Sequence, residues 1–199
     1  MAIQVIHTLA ANTPPVAPGA PVLFLAGPTL REHDRANERS WRVDALRLLA
    51  ECGYEGAAVV PEFEVVDKAR VVDSGAVWVW EAEWLARATV VMFWVPRSMD
   101  KLPGLTTNVE FGMLLTSGKI VFGAPPDAVA VAYMRHQCAA RTPSVPQAET
   151  LAATVHKALM MVAARPPFGT HPNVGGCCGG FLPGCSTDCT ACAVCMAPR

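Results

Sequence analysis

The chain alternates between short unbroken apolar runs and longer segments in which apolar residues return every three or four positions. Residues 21–26 (PVLFLA), 57–60 (AAVV), 89–95 (TVVMFWV) and 120–123 (IVFG) are continuous rather than alternating, the pattern of strands buried on both faces of a parallel sheet. A further short strand is expected near residues 142–145. Between the strands, helical spacing recurs at Val43, Leu46, Leu49 and Ala50 behind Ser40 as N-cap, and again across residues 77–88. It recurs after Gly104, in AVAVAYMRHQC with Asp127 as N-cap, and from about Gln147 to Ala164. Strand and helix in succession predict an α/β domain: a doubly wound parallel sheet of about five strands, with helices on both faces.

The same pattern sets the boundaries. Residues 1–20, with Pro14, Pro15, Pro18 and Gly19, read as a flexible N-terminal arm with room for a brief strand at Ile3 to Ile6. Residues 21–165 form the folded domain, and from 166 onward the chain turns glycine- and cysteine-rich, a composition that cannot bury a core. In that tail, Cys185, Cys189, Cys192 and Cys195 follow a C-x3-C-x2-C-x2-C spacing compact enough to chelate zinc or an iron–sulfur cluster as thiolates. Thiols left free or oxidised in a disordered tail are the alternative. Cys52 and Cys138 stand apart and read as core or inert surface thiols.

Charge narrows the partners. With 16 Lys and Arg against 17 Asp and Glu, the chain lacks the basic excess that contact with a nucleic-acid polymer requires. The most apolar run ends at Pro96, well short of the roughly 20 residues needed to span a bilayer. The N-terminal stretch also has no basic region followed by an unbroken apolar core, so no secretory signal is read and a reducing cytoplasm is the expected setting. Small-molecule ligands fit better than membranes or polymers.

The candidate chemistry centres on GLTTNVEFGMLLTSGK, residues 104–119, where Glu110 is expected in the first turn of a helix that follows the central strand and its loop. That position is at the carboxyl ends of the strands, where open α/β sheets bind ligands. A carboxylate there can simply complement the helix dipole. Among Thr106, Thr107 and Asn108 it can also attack an anomeric carbon or hold an oxocarbenium ion. Glu81 sits between Trp80 and Trp84, where an unpaired charge would be costly. The three tryptophans 78, 80 and 84 read as core filling, with ligand stacking as the other use.

Other candidates are weaker. Gly27-Pro28-Thr29 forms the turn after the first buried strand, and Arg31 and Arg42 would suit a phosphate. Asp67 and Asp73 lie in a loop that could touch a sugar, although loop acids are usually just solvated. His33, His136, His156 and His171 show no metal spacing and read as surface residues. Neither GxGxxG, GxxxxGK[ST] nor GxSxG occurs, which argues against a dinucleotide fingerprint, a P-loop and a nucleophile elbow.

Four stretches in order, LFLAGPT, WEAEWLARATVVMFWVPR, LPGLTTNVEFG and SGKIVFGAPPDA, resemble the nucleoside 2-deoxyribosyltransferase-like proteins, relatives of enzymes that cleave N-glycosidic bonds. The resemblance covers residues 21–165. It implies a flavodoxin-like (Rossmann-like) fold, a Glu nucleophile that falls on Glu110, and a base-contacting acid that falls on Glu81 in place of the usual Asp. It further implies no cofactor for catalysis and a homo-oligomer whose neighbouring subunit helps close the pocket. Where the transferases carry a tyrosine on the first strand this chain has Phe24, leaving Asn108 or Thr106 to orient the nucleophile. The expected activity is cleavage or transfer at the N-glycosidic bond of a nucleoside or nucleotide, with Glu110 ionised in a polar loop and Glu81 protonated. The alternative is a catalytically silent nucleotide-sensing domain with a metal- or redox-active cysteine tail.

Overall fold

The computed structural model describes residues 3–10, 13–31, 33–34, 37–64, 73–141 and 143–165. Six strands form one sheet: β1 (Gln4–His7), β2 (Val22–Ala26), β3 (Ala57–Val60), β4 (Val90–Trp94), β5 (Ile120–Gly123) and β6 (Gln147–Ala148). Their order across the sheet is β1-β3-β2-β4-β5-β6, and every neighbouring pair is parallel. Five helices accompany them: α1 (Trp41–Glu51), α2 (Ser74–Arg87), α3 (Leu105–Leu114), α4 (Ala132–Ala139) and α5 (Leu151–Ala163). No helix among the described residues is long and apolar enough to cross a membrane.

The sheet carries one strand more than the apolar runs predicted. The sixth is β1, inside the stretch read as an arm; only Ile6 of its four residues is buried, so it offered no unbroken apolar signal. At the other end, the strand expected near 142–145 lies at Gln147–Ala148, and the final helix starts after it, capped by Thr150 whose side chain accepts from the Ala153 amide. Asp127 does not cap the preceding helix, because α4 begins only at Ala132 behind Val131. Ser40 does cap α1, its hydroxyl accepting from the Arg42 amide.

Side chains leave each strand on alternate faces, and the core is correspondingly split in two. Phe24, Val91, Phe93 and Phe122 point to one face and pack with Trp84, Phe111 and Met134 of α2, α3 and α4. Leu23, Leu25, Met92 and Val121 point to the other and pack with Leu49 of α1 and Val155 and Ala158 of α5. The chain steps from β2 outward to β3, then crosses back over to β4 and continues in the opposite direction. Parallel crossovers of one hand that change direction must change face, which puts α1 on one side and α2 on the other. The loops leaving β2 and β4 therefore diverge, and a crevice opens between them at the strands' carboxyl ends.

Candidate active site

That crevice holds a cavity of about 320 Å3. The loop after β2 supplies Gly27, Pro28 and Thr29; α1 supplies Arg42; the end of β3 supplies Pro61; α2 supplies Glu81. The loop and first turns of α3 supply Pro103 through Thr107 and Glu110. The loop after β5 does not reach this cavity; with Arg97 and Asp100 of the loop after β4, its Asp127 lines a separate cavity of about 390 Å3.

Local sequence explains the tight floor. Gly27 has φ 146°, and a Cβ there would lie 2.1 Å from the Trp94 carbonyl oxygen, so only glycine allows β2 to turn away beside β4. Gly104, at φ 52°, is the N-cap of α3 and makes no side-chain cap; a Cβ on it would meet Cβ of Pro28 at 2.6 Å. The two loops thus touch through residues without bulk. The helix begins at Leu105, earlier than the sequence pattern implied, so Glu110 sits in its second turn. It is held there by its neighbour Phe111, whose ring packs edge-on against Phe93 at 5.6 Å and Phe122 at 5.5 Å.

Glu81 arrives by a different route. Positions 77, 81, 84 and 88 share one face of α2, and Trp84 and Ala88 on that face are buried in the core. The carboxylate is the polar member of an inward stripe, which brings it to the cavity beside Glu110. Burial raises the Glu81 pKa, with Arg42 opposing. Burial, and then the Glu81 charge, push the Glu110 carboxyl up to about 7, again against the pull of Arg42. The expectation that Glu110 is simply ionised in a polar loop is thereby revised: both acids are raised by desolvation. The two acids are coupled, since a charged Glu81 makes Glu110 hold its proton more tightly.

Of the residues picked from sequence, Gly27, Pro28, Thr29, Thr106, Glu81 and Glu110 line the cavity. Others do not. Asn108 accepts from Arg97 Nη2 at 2.6 Å, on the side of α3 away from the cavity lining, so it does not orient Glu110. Phe24 is buried in the core, and Trp80 packs against Trp84 with ring centroids 6.4 Å apart. Asp73 is exposed and caps α2 by accepting from the Gly75 amide at 2.9 Å. Arg31 is exposed and donates to the Met99 carbonyl. Asp67, His171 and the tail cysteines Cys185, Cys189, Cys192 and Cys195 lie outside the described residues.

Two contributors were not legible as such. Thr107 is buried at the cavity wall one turn before Glu110, a better-placed hydroxyl than Thr106 but identical to it in sequence terms. Glu62, in a stretch that reads as irregular and polar, pairs with Arg42 at 2.7 Å. Among the described residues no group of three or more His, Cys, Asp or Glu is arranged to hold a metal ion. No protein-family model and no curated protein matches this chain, so the chemistry of the site rests on the geometry of these residues.

Proposed function

We propose that the protein cleaves the N-glycosidic bond of a nucleoside or nucleotide, or transfers its glycosyl group, with Glu110 as nucleophile. The observation that carries this reading is the convergence of Glu110 from α3 and Glu81 from α2 on one cavity at the switch point of the sheet. A pair of carboxyls, one as nucleophile and one as acid, is what such a reaction uses. In the form with Glu110 ionised and the proton on Glu81, the Glu110 carboxylate attacks C1' as the bond from C1' to the base nitrogen breaks, and Glu81 gives its proton to the departing base. Glu81, now a carboxylate, takes a proton from a water or from a second base, whose oxygen or nitrogen displaces Glu110 from C1'. Hydrolysis and transfer differ only in that last partner.

The reading also favours an oligomer. Leu105, Val109 and Met113 follow one another at helical spacing on α3 and are 66%, 63% and 72% exposed. Trp78 on α2 is 67% exposed, and Leu105 itself lines the cavity. An apolar stripe that reaches the cavity mouth is suited to a second copy of the chain. One observation favours the silent nucleotide-binding alternative: Phe24 brings no hydroxyl to the nucleophile and stays in the core.

Incubating the protein with a panel of nucleosides and 5'-nucleotides, with and without an acceptor base, and following free or exchanged base by chromatography tests the proposal. Release by the wild type that Glu110→Gln abolishes is the expected result. Binding of a nucleoside without release from any member of the panel would favour the silent alternative.

A further inference from the structure

Arg42 is the largest fully buried side chain among the described residues, only 1% exposed, and yet it carries a charge. Each of its nitrogens is engaged. Nε donates to the Leu25 carbonyl at 3.0 Å and Nη2 to the Gly27 carbonyl at 2.7 Å. Nη1 donates to Glu62 Oε1 at 2.7 Å and to Thr29 Oγ1 at 3.2 Å. The guanidinium carbon also lies 4.5 Å from the centre of the Trp41 ring, whose own Nε1 donates to the Pro28 carbonyl at 2.9 Å. The cation is thus bolted to the β2 loop from below while it lines the cavity from within.

A buried ion pair is a poor device for stability, because desolvation consumes most of the attraction. Its effect on neighbouring charges is larger, since little water screens them. Among the described residues, the charged groups around the cavity come from four elements: Arg42 from α1, Glu62 just after β3, Glu81 from α2 and Glu110 from α3. His7, at the end of β1, sets its ring Nδ1 3.2 Å from the backbone carbonyl oxygen of Glu62.

We propose that Arg42 and Glu62 form a fixed charge pair that sets how many protons Glu81 and Glu110 hold, making Arg42 a positioning residue for the cavity carboxyls. Glu62 neutralises part of the guanidinium field and Arg42 supplies the rest to the two acids. Weakening either partner therefore moves the acids in opposite directions. Glu62→Gln keeps a hydrogen-bond acceptor for Arg42 and Ser40 but removes the negative charge, so both carboxyls lose their proton more readily. Arg42→Met removes the cation and makes them hold it more tightly. Opposite shifts from two neighbouring substitutions are a signature that general loosening of the fold does not produce.

The charge arrangement stands on geometry alone; its consequence for turnover rests on the N-glycosidic reading. The two are separated by titrating the Glu81 and Glu110 carboxyl carbons by 13C NMR in the substrate-free full chain, assigned with Glu81→Gln and Glu110→Gln. Glu62→Gln is expected to lower their midpoints by about one pH unit, the size typical of an uncompensated neighbouring cation, a tenfold change in the ionised-to-protonated ratio at fixed pH. Arg42→Met is expected to raise them by a similar amount. Midpoints unchanged or raised in folded Glu62→Gln overturn the proposal even if Arg42→Met does not fold. Absence of base release leaves this titration untouched and counts against the enzymatic reading only.

Discussion

On one face of the sheet α1 and α5 lie against each other and against the central strands, with Leu49, Val155 and Ala158 almost wholly buried. On the other, α2 runs for 14 residues with only Trp84 fully buried, and α3 buries only Thr107 and Phe111. The first face leaves Val43 and Met160 exposed as single residues; the second leaves Trp78, Val79, Leu105, Val109 and Met113 exposed together. The candidate site straddles the difference. Its fixed charge, Arg42, comes from the helix on the closed face, and both of its titrating charges come from helices on the open one. Rigid parts hold the field still, while the groups that must change protonation sit where covering is incomplete.

The largest effect that would sharpen this contrast comes from Glu110→Gln, with opposite consequences for turnover and stability. Turnover is expected to fall on the order of 10^3-fold or more, as when other enzymes lose a nucleophile. Stability should rise at alkaline pH. The folded chain keeps the Glu110 proton up to about pH 7, whereas an unfolded chain releases it near pH 4.3. Wild-type stability contributed by this group is therefore full at low pH and lost as pH rises through 7. The Gln variant escapes that loss, by on the order of 3–4 kcal/mol at pH 8 and nearly nothing at pH 4. Urea denaturation at both pH values checks it, and an equal difference at the two would contradict the burial argument.

Next in size is a matched pair of truncations. Leu49→Ala on the closed face is expected to cost about 2–5 kcal/mol. Val109→Ala on the open face should cost within about 0.5 kcal/mol in dilute protein. Equal costs would erase the distinction between the faces. The difference should shrink as concentration rises if a second copy covers Val109, because association stabilises the covered state. Directly, Val109→Glu is expected to shift the protein to smaller species in sedimentation velocity while leaving its far-UV circular dichroism unchanged. The smallest effect belongs to Ser40→Ala, about 1 kcal/mol from loss of the α1 cap, measured as a lower denaturation midpoint.

Much of this architecture was legible because fully buried parallel strands leave no room for polar residues. β2, β3, β4 and β5 stand out as unbroken apolar runs, and each residue in them is buried. Edges carry less information: β1 exposes Val5, and β6 has two residues, one of them Gln147. Ser40 was readable as the cap of α1, whereas α3 and α4 start behind Gly104 and Val131, which make no side-chain cap. The caps Thr150 and Asp73 stand a few residues from the starts that the apolar spacing marked. Glu81 was visible as an acid between tryptophans and Glu110 as an acid beside hydrogen-bonding residues ahead of an apolar helix. Arg42 was not distinguishable from an exposed phosphate ligand, since its burial depends on Glu62 and on carbonyls that converge only through the chain's return. Asn108 misled because its oxygen is taken by Arg97, in the loop that leads into α3, and not by the Glu110 side of the helix.

The ring of Phe111, wedged between Phe93 and Phe122, has a mechanical consequence for the residue beside it. Glu110 is aimed less by polar tethers than by the seating of an aromatic peg in hydrocarbon, so the direction of its carboxylate inherits the stiffness of the sheet. Trimming that peg to leucine would leave the acid chemically intact and turn it off target.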